Sequence, residues 1–237
     1  LEDLRAQDLL VKEEPYLKST GRCYRCDTVI EPYVSAQWFV KMKPLAEKAT
    51  AVVENGEVVL MPDMWKKVYA NWMNHIKDWC ISRQIWWVHR IPAWYCKSCN
   101  HINVKRQTPT HCEKCQSSEL EQEKDVLDTW FSSWLWPIST LGWPEKTADL
   151  QYYYPTQFLS TAPEILFFWV ARMIMAGLYF EGKVPFSEVF LHSTVCDTKS
   201  KKMSKSLGNG IDPLEVVDQY GADSLRFTIL YLAPVGQ

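Results

Sequence analysis

The chain has 237 residues, 47% of them apolar and 23% charged. That is a globular composition, and it excludes wholesale disorder. Twenty-six Lys plus Arg against 28 Asp plus Glu give a net charge of −2, so charge alone cannot hold the protein to nucleic acid and any such contact must be local and shaped.

In chain order, residues 1–20 are charged, and Leu4, Leu9, Leu10 and Val11 predict an apolar helical stripe. Gly21 to Glu31 carries Cys23-x-x-Cys26, half of a possible metal site. Residues 37–50 and 62–80 read as helices. Between them, Asn55-Gly56 flanked by paired valines predicts a hairpin turn. Trp65, Tyr69, Trp72, Ile76 and Trp79 recur every three or four residues, and core packing is the simplest use for such a stripe. The nearly apolar run 165–180 contains Arg172 and is shorter than the roughly 20 residues of a membrane span. With no signal peptide and no initiator methionine at Leu1, the chain reads as a piece of a longer, soluble, cytoplasmic protein with no membrane contact.

Eight cysteines are present. Cys96-x-x-Cys99 and Cys112-x-x-Cys115 form two knuckles that can close a tetrahedral zinc site. Four thiolates leave no open position for water, so the role would be structural. His101 or His111 could replace one cysteine. The polar stretch between the pairs has no core of its own and needs the metal to fold. Cys80 and Cys196 stand alone and read as small buried hydrophobes.

Beyond the knuckle the pattern changes. Residues 157–161 form a strand, Pro163 to Ala176 a buried helix stopped by Gly177, and residues 189–192 a second strand. Strand, helix, strand predicts parallel pairing with a right-handed crossover. Ligands of such sheets bind past the carboxyl ends of strands, where Thr161 and His192 fall. The helix would place Glu164, Ile165, Phe168 and Trp169 near one face of its first turns, giving a small ligand an acid, an aliphatic wall and an indole. Thr161-Ala162-Pro163-Glu164 equally fits a capping box in which Glu164 only satisfies backbone. Residues 197–210 carry a run of Lys with Gly, predicting a mobile loop: either a solvated tip or a clamp on phosphates. Asp212-Pro213 starts a helix ended by Gly221, and residues 222–232 form another.

Lys202-Met203-Ser204-Lys205-Ser206 reproduces the KMSKS signature of class I aminoacyl-tRNA synthetases. The strings DTWFSS from Asp128, STLGWP from Ser139, FWVARM from Phe168, QWFVKM from Gln37 and DWCISRQ from Asp78 resemble valyl-tRNA synthetase, with the isoleucyl and leucyl enzymes as relatives. The resemblance implies an α/β fold: the second half of a Rossmann-like parallel sheet with helices, plus a small zinc-knuckle insertion. It implies an exit from an editing insertion at 1–36, a helical core segment at 37–95, the knuckle at 96–118, the second half of the catalytic domain at 119–198, and the KMSKS loop with the start of a stem-contact helical segment at 199–237.

By the same resemblance the reaction joins valine to ATP, with Mg2+, as an adenylate and passes it to tRNA(Val). Lys202 and Lys205 would act on the phosphates; Thr161, His192, Met203, Ser204 and Ser206 would line the ATP site. Trp130, Ile165 and Trp169 would wall the side-chain pocket, and Glu164 would accept the substrate ammonium. Two stretches depart from the family: Ala162-Pro163-Glu164 replaces Gly, an aromatic and Asp, and Ser193 replaces Gly. The signature HIGH belongs to the first half of such a domain. His75-Ile76-Lys77 is no substitute, so the chain is expected to be inactive without its N-terminal half. The rival readings are a noncatalytic zinc-containing RNA-binding module and an isoleucyl enzyme.

Overall fold

The computed structural model describes residues 1–23 and 26–232, and only the backbone of Ser206. The chain divides into two units, Leu1–Ala36 and Gln37–Gln237.

In the first unit, helix α1 spans only Glu2–Ala6. The helix expected to residue 20 does not form. Leu9 and Val11 are exposed, and a short helix with no apolar partner is marginal in water. Near Cys23 the chain folds back, with Arg22 bridging Val29 and the Cys23 N–H donating to the Thr28 carbonyl at 2.9 Å. Hydrogen bonding to Thr28 lowers the Cys26 thiol to about 7.

The second unit begins with β1 (Phe39–Val40) and α2 (Lys43–Glu54). Ala46, Ala49, Thr50 and Val53 share one helical face and are buried. Val52 and Val53 belong to α2, so Asn55-Gly56 ends a helix instead of turning a hairpin. Asn55 N–H donates to the Ala51 carbonyl at 3.0 Å, and Gly56 at φ 84° takes the left-handed conformation that glycine adopts freely. The chain returns as β2 (Val59–Met61) and then α3 (Met64–Asn74). Tyr69 is fully buried, and its hydroxyl donates to the Ala49 carbonyl at 3.2 Å. The aromatic stripe is core, as its spacing predicts. Trp79 lies beyond the helix, in β3 (Trp79–Cys80), which pairs antiparallel with β1.

After β4 (Ser82–Arg83) come β5 (Ala93–Cys96), β6 (Ile102–Val104) and β7 (Leu120–Gln122), an antiparallel sheet with β5 in the middle. β8 (Val126–Leu127) then pairs with β4. Three short helices follow: α4 (Thr129–Ser133), α5 (Trp136–Ser139) and α6 (Ala148–Tyr153).

β9 (Thr156–Thr161), α7 (Ala171–Phe180) and β10 (Phe186–Leu191) complete the centre of the fold. β10 lies between β2 and β9, parallel to both. The strand–helix–strand unit is as predicted, and a third strand, β2, joins the sheet where the sequence predicts a hairpin. Leu60, Val189 and Leu191 are buried on the sheet, in one core with Ala46 and Ala49 of α2 and with Leu166, Val170 and Ile174. Each large apolar side chain so buried contributes roughly 1.5–3 kcal/mol.

Gly177 does not stop the helix, which runs three residues further, to Phe180. A methyl group at Gly177 would stand 2.5 Å from Tyr154 Oη and 2.9 Å from the Lys183 carbonyl, so this glycine serves close packing. Pro163–Phe180 is long and apolar enough to cross a membrane by length and composition, yet residues 171–177 are buried without a break. It is a core helix here. The last elements among the described residues are α8 (Pro213–Tyr220), capped by Asp212, and α9 (Ala222–Leu232).

Candidate active site

Parallel pairing places the predicted strand-end residues side by side. Leu191 is in register with Thr161, and the His192 N–H donates to the Thr161 carbonyl at 3.1 Å. Thr161 is buried and His192 exposed.

From Thr161 the chain does not enter an α-helix directly. Residues Pro163–Ile165 form a 3-10 turn and Leu166–Val170 a π turn before α7 begins. The capping box does not form: Ala162 holds the cap position, with no side-chain cap. Glu164 faces the lysine loop instead. Its Oε1 accepts from Lys202 Nζ at 2.6 Å and from Thr194 Oγ1 at 3.2 Å. The Lys202 ammonium holds the Glu164 carboxyl below its ordinary range.

The loop is tied to itself by its own hydrogen bonds. Cys196 bridges Lys202, and Asp197 Oδ1 accepts from the Lys199 and Lys201 N–H groups at 2.9 Å. Asn209 is the main tie. Its Oδ1 accepts from Ser204 N–H at 3.0 Å, and its Nδ2 donates to Asp197 Oδ2 at 2.8 Å and to the Lys202 carbonyl at 3.2 Å. Lys205–Leu207 form a 3-10 turn capped by Ser204, with Lys205 exposed and Met203 half-buried. The side chain of Ser206 lies outside the described residues. Cys196, expected inside, is exposed.

Trp130 and Trp169, two of the predicted pocket walls, each pack against a neighbouring aromatic ring. Trp169 Nε1 donates to the Ser133 carbonyl at 3.1 Å, and its ring lies 5.8 Å from that of Trp136. Trp130 stacks on Phe168 at 5.9 Å. Residues 163–170 run through 3-10 and π turns, so the α spacing behind the common face expected for residues 164–169 does not apply there. A concavity of about 300 Å3 is lined by Trp72, Ile76, Asp78, Trp79 and Arg172 among others; none of the predicted pocket residues lines it.

Sequence reasoning passed over the group beneath Trp130. Asp128 Oδ1 caps α4 by accepting from Trp130 N–H at 3.0 Å. Its Oδ2 accepts from the Trp79 indole at 3.0 Å and pairs with Arg83. The buried Arg172 guanidinium lies 3.5 Å over the Trp79 ring. Its Nε and Nη1 have no hydrogen-bond partner among the described residues. Burial, opposed by Asp128, lowers this arginine to about 10. The signal was available: one arginine inside an apolar run.

The four cysteines of the knuckles converge. Cys96, Cys99, Cys112 and Cys115 place their sulfurs within 4.8 Å of one another. Cys96–Cys115 and Cys99–Cys112 approach to 3.5 and 3.7 Å. A tetrahedral ion with Zn–S near 2.3 Å sets S···S at about 3.8 Å, so the donor set fits. Asn103 Nδ2 reaches Cys112 Sγ at 3.8 Å, the kind of outer contact that orients a ligand. Burial raises the Cys112 thiol, but backbone N–H groups of Cys115 and Lys114 outweigh it and hold it at about 6. The His101 carbonyl accepts from Cys96 N–H and His111 Nδ1 meets Thr110; neither histidine joins this group.

The family described as tRNA synthetases class I (I, L, M and V) matches residues 11–237. The chain belongs to that family. Among curated relatives it is similar to a protein named valine–tRNA ligase from Petrotoga mobilis, 62% identical over all 237 residues, which are 27% of that relative. Those from Thermotoga maritima and Bdellovibrio bacteriovorus are 61% and 59% identical, over 100% and 96% of this chain and 27% and 26% of theirs. The chain thus spans about a quarter of the length of such class I relatives. Among solved structures, methionyl-tRNA synthetase of Mycobacterium tuberculosis bound by methionyl-adenylate shares the fold at TM-score 0.63 and 20% identity, over 93% of this chain and 38% of that one. A leucyl enzyme of Agrobacterium radiobacter in a complex with tRNA follows at 0.53 and 24%, over 66% of this chain and 24% of that one.

Proposed function

We propose that this chain is the part of a valine–tRNA ligase holding the second half of its Rossmann-like catalytic domain, in a cytoplasmic enzyme. The family match and the relatives' name support the reaction class, and one contact fits it. Lys202 of the KMSKS loop reaches Glu164 at 2.6 Å, just past the carboxyl ends of two parallel strands, where ligands of open sheets bind. Valine is favoured over isoleucine because the similar relatives described above are named for it.

In this reading the enzyme joins valine to ATP, releases pyrophosphate, and passes valine to tRNA(Val). Lys202 and Lys205 stabilise the negative charge that develops on the leaving pyrophosphate, most strongly in the transition state. Mg2+ would share that charge. Thr161, His192, Met203, Ser204 and Ser206 line the nucleotide site. Glu164 accepts the valine ammonium, and Trp130, Ile165 and Trp169 set the width of the side-chain pocket. Such a pocket rejects threonine by only about a hundredfold, so hydrolysis of the wrong product falls to another part of the enzyme. Zinc held by Cys96, Cys99, Cys112 and Cys115 would fix the β5–β7 sheet and take no part in the chemistry.

The test is ATP–pyrophosphate exchange by the complete polypeptide, with valine and isoleucine compared. Exchange preferring valine is expected, along with its absence from this chain alone. Exchange preferring isoleucine would overturn the substrate, and none at all would favour a noncatalytic RNA-binding module.

A further inference from the structure

Glu164 and Lys202 are assigned above to two different substrates, the amino-acid ammonium and the ATP phosphates. In the structure they bind each other, at 2.6 Å. Oε1 of Glu164 already takes a second donor, Thr194 Oγ1 at 3.2 Å. A substrate ammonium arriving at this carboxylate meets a like charge within ion-pair distance. The two cations repel, and one must leave or weaken its hold.

Lys202 is built to be the one that leaves. Its backbone is tied by Asn209 Nδ2 at the carbonyl and by the bridge to Cys196, while its side chain is 59% exposed. Only the flexible stem has to swing. An ammonium is a compact point charge that exchanges one anionic partner for another without a fixed fork geometry.

We propose that Glu164 is a shared carboxylate coupling the two substrates. Lys202 holds it before substrate arrives, the amino-acid ammonium takes it on binding, and the released Lys202 turns to the triphosphate. Either substrate arriving first opens the pair, so the second binds without opening it. The coupling is positive and reciprocal. An exposed ion pair has a worth that limits the effect to about two- to fivefold in affinity. This inference rests on the function proposed above.

The experiment is calorimetric titration of the complete enzyme with valine, with and without a Mg2+-bound non-hydrolysable ATP analogue. In the wild type the analogue should tighten valine about two- to fivefold. Lys202→Met should bind valine alone more tightly than wild type by a similar factor and show no further gain from the analogue. A Lys202→Met enzyme with unchanged or weakened valine binding, or with the coupling intact, overturns the shared carboxylate and leaves the function standing. Failure of the wild type to bind valine or nucleotide overturns both.

Discussion

Gly177→Ala tests the packing that seats the candidate site. In an isolated helix, Ala is favoured over Gly by about 1 kcal/mol, and residues on either side of position 177 are helical. The structure reverses that expectation. The new methyl would meet Tyr154 Oη at 2.5 Å, the Lys183 carbonyl at 2.9 Å and Pro185 Cδ at 3.1 Å. Tyr154 cannot yield freely: it is 7% exposed, and its hydroxyl donates to that same carbonyl at 2.9 Å. Overpacking of this kind costs about 1–3 kcal/mol, and losing the hydrogen bond costs about 1 kcal/mol more. After the helix gain, a net destabilisation of about 1–3 kcal/mol is expected, or roughly 3–10 °C in a domain of this size. Thermal unfolding followed by circular dichroism measures it. Adding Tyr154→Phe should recover part of the loss, because the nearest clash is with the hydroxyl oxygen. A Gly177→Ala protein as stable as wild type would refute the packing account.

Native mass spectrometry of a preparation never exposed to chelator should show one zinc that Cys112→Ser removes. Zinc retained by that variant would contradict the ligand assignment. Because Lys202 depresses the Glu164 pKa, the pair contributes stability above the unfolded carboxyl value near 4.3. It loses that contribution as pH falls through the lower folded value. Glu164→Gln should therefore flatten the acid side of the stability profile, and an unaltered profile would count against the pair. Asn209→Ala removes three hydrogen bonds from the lysine loop, so amide exchange across residues 197–209 should accelerate; unchanged protection would mean that other contacts close the loop.

Much of the central unit was legible because its signals are local. The short strand candidates at 157–161 and 189–192 with a buried helix between them leave few alternatives to parallel pairing, and the two cysteine knuckles announce their own geometry. The failures have physical causes. Asn55-Gly56 has the same chemistry in a hairpin as at a helix end, and only the burial of Val52 and Val53 in α2 decides between them. Gly177 reads as a stop unless Tyr154 is known to press against it from another segment. The face expected from Glu164 to Trp169 assumed α spacing, which the 3-10 and π turns remove. The Glu164–Lys202 pair joins residues 38 positions apart, and no local pattern reports such a contact. The helix expected over residues 1–20 stops at Ala6, and Leu9 and Val11 beyond it stay exposed.

In the proposed reaction the lysine loop acts on ATP at the strand ends. Single-turnover formation of valyl-adenylate by the complete enzyme carrying Lys205→Ala, measured with no tRNA present, tests it most directly. The rate should fall by two orders of magnitude or more, as expected when a donor aimed at developing charge is removed, while the protein keeps its fold and its zinc. Adenylate formation at the wild-type rate would contradict the account, and a defect confined to RNA affinity would give the loop to a binding module.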